Sequence, residues 1–385
     1  MQREASAAIQ VRPVSSAADR KVFLELPYQV QGSDPNWIAP LRLERRQHID
    51  PRRNPWFEHA EARFFLAWRE GRPVGRISAQ IDRLARERSS GSPAQFGMLE
   101  AEAGDVAVVS ALLGAAEEFA RSRGMSRLRG PFSLSINDEC GLLVEGFDTP
   151  PAMMMGHAPP EYGRAMDVLG YVKAKDLVTY ELPVVGEIPP IVEQVLKRSG
   201  LSGGVTARPL RMNRFQEEIR VLVDIFNDAW SHNWGFVPFT EAEVRHLASS
   251  LKPLIRPELV SFAEIAGEPV GVFAAVPDLN EAIRGFDGRL LPVNWVRLLW
   301  RLKAGRMRRY RAPLVGVRKR HQGGFASAEI LYRMWAQVRG ALQGRGFTGG
   351  EVGWILEDNL PMRRIVEAGG GRLRKTYRIY EKALV

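Results

Sequence analysis

The feature that most constrains the fold of this 385-residue chain is an internal repeat with an offset of 196 residues. Residues 65–77 read FLAWREGRPVGRI, and residues 261–273 read SFAEIAGEPVGVF. The matched positions are Gly71, Pro73, Val74 and Gly75 in the first copy and Gly267, Pro269, Val270 and Gly271 in the second. Each copy has two strand-like runs around a glycine-containing tight turn, and this pattern predicts a β-hairpin.

Two further pairs of segments recur at nearly the same offset. The dipeptide Asn-Trp occurs at 36–37 and again at 233–234. A helical pattern that ends at a glycine and leads into a strand occurs at 161–182 and again at 360–382. The terminal glycines, which suit a left-handed helix C-cap, are Gly170 and Gly370. Three matches in the same order indicate a duplicated unit.

We therefore predict an α/β fold of two tandem homologous domains with mixed sheets, related by a pseudo-twofold internal repeat. The predicted bounds are 1–185 and 186–385, and the connection lies in the Pro- and Gly-containing stretch 183–204. The length of the chain suits two domains better than one. One large mixed domain is the alternative.

The composition is that of a soluble globular protein, with 45% hydrophobic and 25% charged residues. The N-terminus lacks the apolar core of a signal peptide, and no apolar run approaches the length of a membrane span. The single cysteine, Cys140, excludes an internal disulfide and a cysteine-based zinc site. We expect a cytoplasmic protein, either free or peripheral on the inner membrane, that binds no metal.

A glycine-rich basic turn in the second half connects a predicted strand, Pro313–Val317, to a predicted helix, Ser327–Gln343. It reads RKRHQGGFA at 318–326, and a further strand is predicted at Glu351–Leu356. Free N–H groups at a helix N-terminus bind anions, and glycine lets the backbone come close to a phosphate. The glycine spacing fits neither a GxGxxG loop nor a P-loop. A solvated basic loop is the alternative to a phosphate site.

The order of hairpin, strand, glycine-rich turn, helix, strand, Glu-Asp-Asn, helix and strand resembles the GNAT superfamily of acyltransferases. In that family a Q/R-x-x-G-x-G/A turn binds the pyrophosphate of CoA, and two diverging strands expose backbone groups to its pantetheine arm. Two registers match this consensus at all but one position: His321 with Gly324 and Ala326, or Arg320 with Gly323 and Phe325.

The cofactor-binding residues that the GNAT resemblance implies are Val315, Val317, Arg318, Arg320, His321, Gln322, Gly323, Gly324, Phe325, Ala326, Ser327 and Asn359. Val366 occupies the position of a tyrosine that often acts as the general acid in the family, so this acid is absent or comes from elsewhere. The first half has no such turn. Its predicted helix, Ala107–Arg123, follows a segment with acidic residues, which would repel a pyrophosphate. We expect one CoA site per chain, in the second half.

A basic insertion at 279–312 separates two strands that are close in sequence in a plain GNAT domain. The stretch between Asp287 and Glu329 holds 11 arginines and lysines, Arg306 among them, and no acidic residue. The pattern predicts a helix with Leu291, Trp295, Leu298, Leu299 and Leu302 on one face and Arg297, Arg301 and Arg308 on the opposite face. Such a helix lies on an inner-membrane surface through 290–311, or packs on its own domain. No nucleic-acid partner is expected.

The catalytic candidates lie in an irregular loop of the first half. Acyl transfer to an amine needs a group that takes a proton from the amine. The polar cluster 137–140 is followed by the apolar run PPAMMMGH at 150–157, which suits an apolar chain with a polar head, or an ordinary core. We predict Glu139 and His157 as proton-handling residues and Asn137 as a substrate-positioning residue, with His232 and Glu351 as reserves.

Three longer segments, 34–41, 129–151 and 233–240, resemble a bacterial family of tandem GNAT proteins. That family includes the bacterial ceramide synthase, an N-acyltransferase that joins a fatty acyl chain to a sphingoid base. The resemblance implies an N-acyltransferase that takes its acyl group from acyl-CoA, or from acyl carrier protein, and acts on an amine-bearing lipid. An N-acetyltransferase for a small amine or peptide, and a non-catalytic acyl-CoA-binding module, are the alternatives.

Overall fold

The computed structural model of the protein describes residues 8–88, 91, 93–102, 104–198, 204–303 and 307–384. Arg306 of the basic insertion and residues 199–203 of the predicted connection lie outside the described residues. The chain forms two compact units. The first takes in the described residues of 1–177, 285–289 and 376–385, and the second those of 178–284 and 290–375. The last ten residues, which the sequence places in the second half, thus group with the first unit.

The first unit alternates strands and helices in the order expected of an α/β domain. Its strands are β1 (Ile9–Pro13), β2 (Ala60–Arg69), β3 (Arg72–Asp82), β4 (Ala94–Ala101), β5 (Arg127–Gly130) and β6 (Leu142–Glu145). Its helices are α1 (Ala17–Val30), α2 (Arg42–His48), α3 (Arg83–Arg88), α4 (Val106–Ser122) and α5 (Glu161–Val168). A strand β7 (Val172–Pro183) leads from this unit into the second.

The sheet of the first unit is mixed and has the order β1-β2-β3-β4-β5. β4 and β5 pair parallel, while β1, β2, β3 and β4 pair antiparallel with their neighbours. Helix α4 covers the sheet with an apolar face, on which Val108, Leu112, Leu113 and Ala116 are buried. The amphipathic pattern that predicts a helix at Ala107–Arg123 is thus confirmed to within one residue at each end.

The second unit repeats this order of elements. Its helices are α6 (Pro190–Arg198), α7 (Phe215–Trp230), α8 (Glu241–Leu251), α9 (Leu279–Ile283), α10 (Asn294–Lys303), α11 (Gly324–Gly344) and α12 (Leu360–Ala368). Its strands are β8 (Val205–Pro209), β9 (Val260–Ile265), β10 (Glu268–Pro277), β11 (Arg309–Val317) and β12 (Gly349–Leu356), followed by β13 (Arg372–Ala383), which leads back into the first unit. The order β12-β11-β10-β9-β8 is antiparallel except for the parallel pair β11 and β12.

The repeated hairpins are confirmed as β2–β3 and β9–β10. Both turn at a pair of residues with positive φ, at 52° and 75° for Glu70-Gly71 and at 51° and 80° for Ala266-Gly267. Two consecutive residues in this conformation give the turn that matches the twist of paired strands. The glycines after α5 and α12 also have positive φ, 76° at Gly170 and 93° at Gly370, as the sequence predicts.

Two boundaries near the basic turn differ from the prediction. Strand β11 begins at Arg309, four residues before the predicted start at Pro313. The sequence does not predict this earlier start because an arginine, Arg311, interrupts the apolar run that indicates a buried strand. In the structure Arg311 is buried and donates to the Glu351 carbonyl within the sheet. Helix α11 begins at Gly324 rather than at Ser327. Its predicted apolar face is confirmed, since Ile330, Leu331, Met334, Trp335 and Val338 are buried.

The predicted faces of the insertion helix α10 are wrong. Leu298 and Leu302 pack against the core, but Leu299 is exposed. Arg301, predicted on the solvent side, turns toward α9 instead and donates to the backbone carbonyls of Ala282 and Arg284. Packing against α9 determines which side of α10 faces the core. The amphipathic pattern of α10 alone does not predict that side. No helix of the described residues is long and apolar enough to cross a membrane.

Candidate active site

A cavity of about 300 Å³ lies in the second unit where β11 and β12 diverge. Their parallel pairing extends from Arg309 and Gly349 to Ala312 and Val352 and stops there. Beyond this point both strands contribute cavity walls, through 313–317 and 353–356. Helices α11 and α12, the end of α7, and strands β7 and β10 also contribute to the lining. The strands therefore open into the cleft that the resemblance implies for a pantetheine arm.

The lining of the cavity is largely apolar, and among the described residues it carries no charged side chain. Its inner residues, among them Phe273, Leu331, Trp335 and Val352, also belong to the hydrophobic core of the unit. Among the described residues of the lining, Tyr332 is the one with a titratable side chain, and its hydroxyl donates to the Ile365 carbonyl at 3.1 Å. Burial raises the pKa of this phenol, so it remains neutral. A cavity of this kind favours an aliphatic chain over a charged group.

The N-terminus of α11 lies at this cavity. The N-cap Gly323 has φ 92° and Gly324 has φ 62°, conformations that glycine adopts without strain. No side chain caps this helix and no acidic residue lies in its first turn. Gly323 and Ser327 line the cavity on either side of that turn. The first N–H groups of α11 and the positive end of its dipole thus form a site for an anion.

Two basic side chains of the turn, Arg318 and Arg320, contact neighbouring carboxylates. The guanidinium of Arg318 donates to the Asp224 carboxylate at 2.6 Å and to the Pro269 carbonyl at 2.9 Å. Arg320 pairs with Glu268 and contacts the His321 ring at 3.1 Å. These contacts reduce the positive charge available to a phosphate. The backbone of α11 is therefore the stronger anion-binding element of the turn.

Six of the predicted cofactor-binding residues line the cavity: Val315, Val317, Gln322, Gly323, Ser327 and Asn359. The other six flank them in the turn and in the first turn of α11: Arg318, Arg320, His321, Gly324, Phe325 and Ala326. Asn359 also caps α12, since its side chain accepts from the Met362 N–H at 3.2 Å. Val366 is a buried wall residue, so no acid comes from that position.

Sequence reasoning missed an aromatic wall formed by Trp230 and Trp354. Their ring centroids are 5.3 Å apart, and the Trp230 indole donates to the Val315 carbonyl at 3.4 Å. Asn233, also a wall residue, belongs to the repeated Asn-Trp dipeptide. The Asn-Trp repeat could have pointed to this wall, because its second copy directly follows α7, the helix that carries Trp230.

The corresponding cleft of the first unit is filled by the protein itself. β4 and β5 pair only at two positions, and the chain after β5 then enters the gap between them. The Phe132 N–H donates to the Phe96 carbonyl at 2.8 Å, and the Gln80 amide donates to the Phe132 carbonyl at 2.9 Å. Helix α4 is capped by Asp105, whose carboxylate accepts from the Val108 N–H. Both the pantetheine position and the anion position are thus occupied by residues of the chain.

This filled cleft makes a stability prediction at Gly97. A Cβ atom there would lie 1.6 Å from the Phe132 carbonyl oxygen, so no side chain fits. We expect Gly97→Ala to lower the free energy of unfolding by about 3 kcal/mol or more, measured by urea denaturation. The control is Gly114→Ala in the middle of α4, where a Cβ meets nothing within 4 Å. This control should raise stability by about 0.5–1 kcal/mol; equal effects would contradict the filled cleft.

The three predicted catalytic residues lie in the first unit. Glu139 pairs with Arg45. Burial alone would raise the pKa of this carboxyl, but the Arg45 guanidinium together with His48 and Arg76 outweighs burial and holds the pKa below its usual range. A carboxylate held in this way is a weak base. The backbone N–H of Asn137 donates to the Ser135 hydroxyl at 3.1 Å within the same loop.

His157 has the contacts of an oriented imidazole. Its Nε2 atom lies 2.8 Å from the Asp34 carboxylate, and its side chain is 2% exposed. Its Nδ1 atom is buried and has no hydrogen-bond partner among the described residues. A carboxylate on one ring nitrogen fixes the tautomer and leaves the other nitrogen able to accept a proton. Of the three candidates, His157 therefore suits proton transfer best.

The Asp34–His157 pair predicts a pH dependence of stability. Burial opposes ionisation of Asp34, but hydrogen bonds from His157 and from the N–H of Asn36 outweigh it, so its pKa is lowered on folding. The resulting stability is present above the unfolded pKa of about 4 and is lost as pH falls through the lower folded value. We expect Asp34→Asn to cost about 1–2 kcal/mol near pH 7. In urea denaturation at a series of pH values, the difference in the free energy of unfolding between variant and wild type should vanish below the folded pKa of Asp34. A difference that is the same at every pH would contradict this prediction.

The two reserve candidates are placed differently. Glu351 is buried on β12, and its carboxylate lies 3.2 Å from the Arg374 guanidinium. His232 lies beside the basic turn, with its Nε2 atom 3.3 Å from the Lys319 ammonium. Neither residue lines the cavity.

Comparison with known proteins identifies the family. No family model matches the chain. The chain is 47% identical over 380 residues to the bacterial ceramide synthase of Caulobacter vibrioides, covering 98% of both chains. It belongs to this family of N-acyltransferases. Protein YghO of Escherichia coli is a further relative, 40% identical over 97% of this chain and 95% of its own length.

Comparison with solved structures shows that this chain has a tandem GNAT fold. A tandem GNAT protein of clavulanic acid biosynthesis matches with a TM-score of 0.57 and 13% identity, covering 98% of this chain and 99% of its own. A GCN5-related N-acetyltransferase from Sphaerobacter thermophilus matches with a TM-score of 0.54 and 14% identity, covering 98% and 96%. The predicted α/β fold with two tandem GNAT domains, and the predicted N-acyltransferase class, are thereby confirmed.

Proposed function

We propose that this N-acyltransferase moves a long-chain acyl group from acyl-CoA to the amine of a sphingoid long-chain base. The observation that carries the proposal is the uncharged cavity of the second unit, whose inner walls are core residues. A shallow polar pocket would suffice for an acetyl group. The relative named bacterial ceramide synthase, at 47% identity over the whole chain, supports the same substrate class.

The residues of the second unit have separable roles in holding the donor. The pyrophosphate of CoA would bind the free N–H groups at the start of α11, around Gly324 and Phe325. The pantetheine arm would lie along the diverging part of β11, where Val315 and Val317 line the cavity. The acyl chain would then extend toward Leu331 and Trp335. Acyl carrier protein presents the same arm and remains an alternative donor.

The amine must lose a proton before or during attack on the thioester carbonyl. We assign this role to His157, because Asp34 orients its ring and its second nitrogen is able to accept. Asn137 and Glu139 would position the acceptor, with Glu139 acting through Arg45. The acceptor, a sphingoid base with an apolar chain, would reach the site from a membrane surface. A general base contributes about 10²–10⁴-fold to the rate, which is the loss expected for His157→Gln.

A mass-spectrometric assay tests the proposal. The purified protein is incubated with sphinganine or 3-ketosphinganine and with acetyl-, octanoyl- or palmitoyl-CoA, or with palmitoyl acyl carrier protein. We expect amide product with the long-chain donors, and a rate reduced by His157→Gln but not by His246→Gln on the exposed side of α8. Product with acetyl-CoA alone would indicate a small-amine acetyltransferase. CoA binding without product from any donor would indicate a binding module, and either result would overturn the proposal.

A further inference from the structure

Helix α10 and the residues before it form an exposed apolar surface, here called the α10 patch. Six large apolar side chains between residues 291 and 300 have exposed fractions of 45–76%. They are Leu291, Val293, Trp295, Val296, Leu299 and Trp300. Single exposed apolar residues are ordinary on a protein surface, but six in one short segment mark an interaction site.

The orientation of α10 is fixed, so the α10 patch is a stable surface of the second unit. Leu298 and Leu302 pack on the core from one side of the helix. On the same helix, Arg301 donates to the carbonyls of Ala282 at 2.6 Å and Arg284 at 3.0 Å. Turning the apolar residues inward would break these contacts. Val296 and Trp300, one turn apart, lie on the side of the helix away from Leu298.

The charge around the α10 patch is positive. Arg297 and Lys303 are exposed on the helix itself, and Arg284 and Arg308 are exposed on the segments that flank it. The sequence has no acidic residue between Asp287 and Glu329. An apolar centre with cations around it complements a layer of anionic headgroups over acyl chains.

We propose that the α10 patch docks the protein on an anionic phospholipid membrane, with the helix lying in the headgroup region. Tryptophan favours this region because its ring is apolar and its N–H is polar; the Trp295 indole already donates to the Pro292 carbonyl at 3.0 Å. A helix of ten residues is suited to lie along the surface. A second copy of the chain is a poor occupant, since a symmetric contact would set the same cations against each other. This docking does not depend on the proposed acyl acceptor.

Vesicle flotation tests the docking. The full chain is mixed with vesicles of phosphatidylcholine alone, or of phosphatidylcholine with phosphatidylglycerol, and the protein that floats with the lipid is measured. We expect flotation with the anionic vesicles only, weakened by salt. Val296→Ser with Trp300→Ser should lower the vesicle affinity at least about tenfold, because two apolar side chains no longer enter the lipid. Arg297→Gln and Lys303→Gln should lower it about fivefold for each cation removed.

The control removes two apolar side chains elsewhere that are more exposed, by Val168→Ser with Val172→Ser, and should float like wild type. Both double variants change exposed residues, so their thermal unfolding should match wild type, which separates lost docking from misfolding. Absence of flotation, equal flotation with neutral vesicles, or unchanged flotation of the Val296 and Trp300 variant would overturn the proposal. Capture of acidic acyl carrier protein through the α10 patch, without flotation, would overturn it in favour of a protein partner.

Discussion

Leu331→Phe should shift the enzyme from long-chain to short-chain acyl donors. Leu331 is a buried residue of α11 whose side chain forms part of the inner cavity wall. A larger ring there shortens the space for the acyl chain but leaves the start of α11 unchanged. Even one methylene group gained or lost in an apolar pocket changes kcat/KM by about 10–200-fold. We expect at least a tenfold fall in kcat/KM for palmitoyl-CoA relative to octanoyl-CoA, measured by product formation with a common acceptor.

The internal repeat supplies the control for this variant. Leu113 is the eighth residue of α4, as Leu331 is of α11, and it is equally buried but contacts a packed core. Leu113→Phe should cost about 1–3 kcal/mol of stability through overpacking and leave donor preference unchanged. Leu331→Phe should cost less, because the cavity accommodates the added volume. If both variants keep the wild-type chain-length profile, the cavity does not hold the acyl chain.

Phe325→Glu should weaken CoA binding while leaving the fold intact. Phe325 lies in the first turn of α11 and is largely exposed. A carboxylate there stabilises the helix by about 0.3–1 kcal/mol, because it interacts favourably with the dipole. The same charge repels a pyrophosphate bound at the N-terminus, at a cost of about 1–3 kcal/mol at close range. We expect about a tenfold or greater loss of CoA affinity by calorimetry, with an unchanged or raised Tm.

Phe325→Gln separates charge from size in this experiment. It removes the same ring and introduces a side chain of the same shape as glutamate, without the charge. CoA affinity should stay near the wild-type value, and added salt should reduce the difference between the two variants. Equal affinities of the glutamate and glutamine variants at low salt would place the pyrophosphate elsewhere.

Local signals account for the parts of the fold that the sequence predicts. The hairpin turns at Gly71 and Gly267 and the helix ends at Gly170 and Gly370 depend on a few adjacent residues, and all four glycines adopt positive φ. The helix pattern of α11 likewise depends on its own periodicity. The internal repeat then shows how these local features are arranged, since the same order of elements in both halves indicates two domains of the same architecture.

Features that depend on long-range packing were not predictable. Trp230 and Trp354 meet across the cavity from positions more than 100 residues apart in sequence. The side of α10 that faces the core is selected by carbonyls at Ala282 and Arg284, and not by its own apolar pattern. Phe132 fills the cleft of the first unit because its backbone passes close to Gly97, where a side chain would not fit. Nothing in the sequence distinguishes this glycine from the others. The catalytic assignment of His157 stays a prediction.

The path of β13 affects the order in which the protein folds during its synthesis. Residues 376–383 belong to the first unit, where they pair antiparallel with β5 and β6. These residues follow residues 178–284 and 290–375, which form the second unit, whereas a domain usually completes its fold as soon as its own segment has emerged. Here the N-terminal segment must wait for the synthesis of the second unit before its own sheet is complete. A nascent chain that lacks β13 would therefore expose the edge of β5, which is a site for unwanted strand pairing until β13 has emerged.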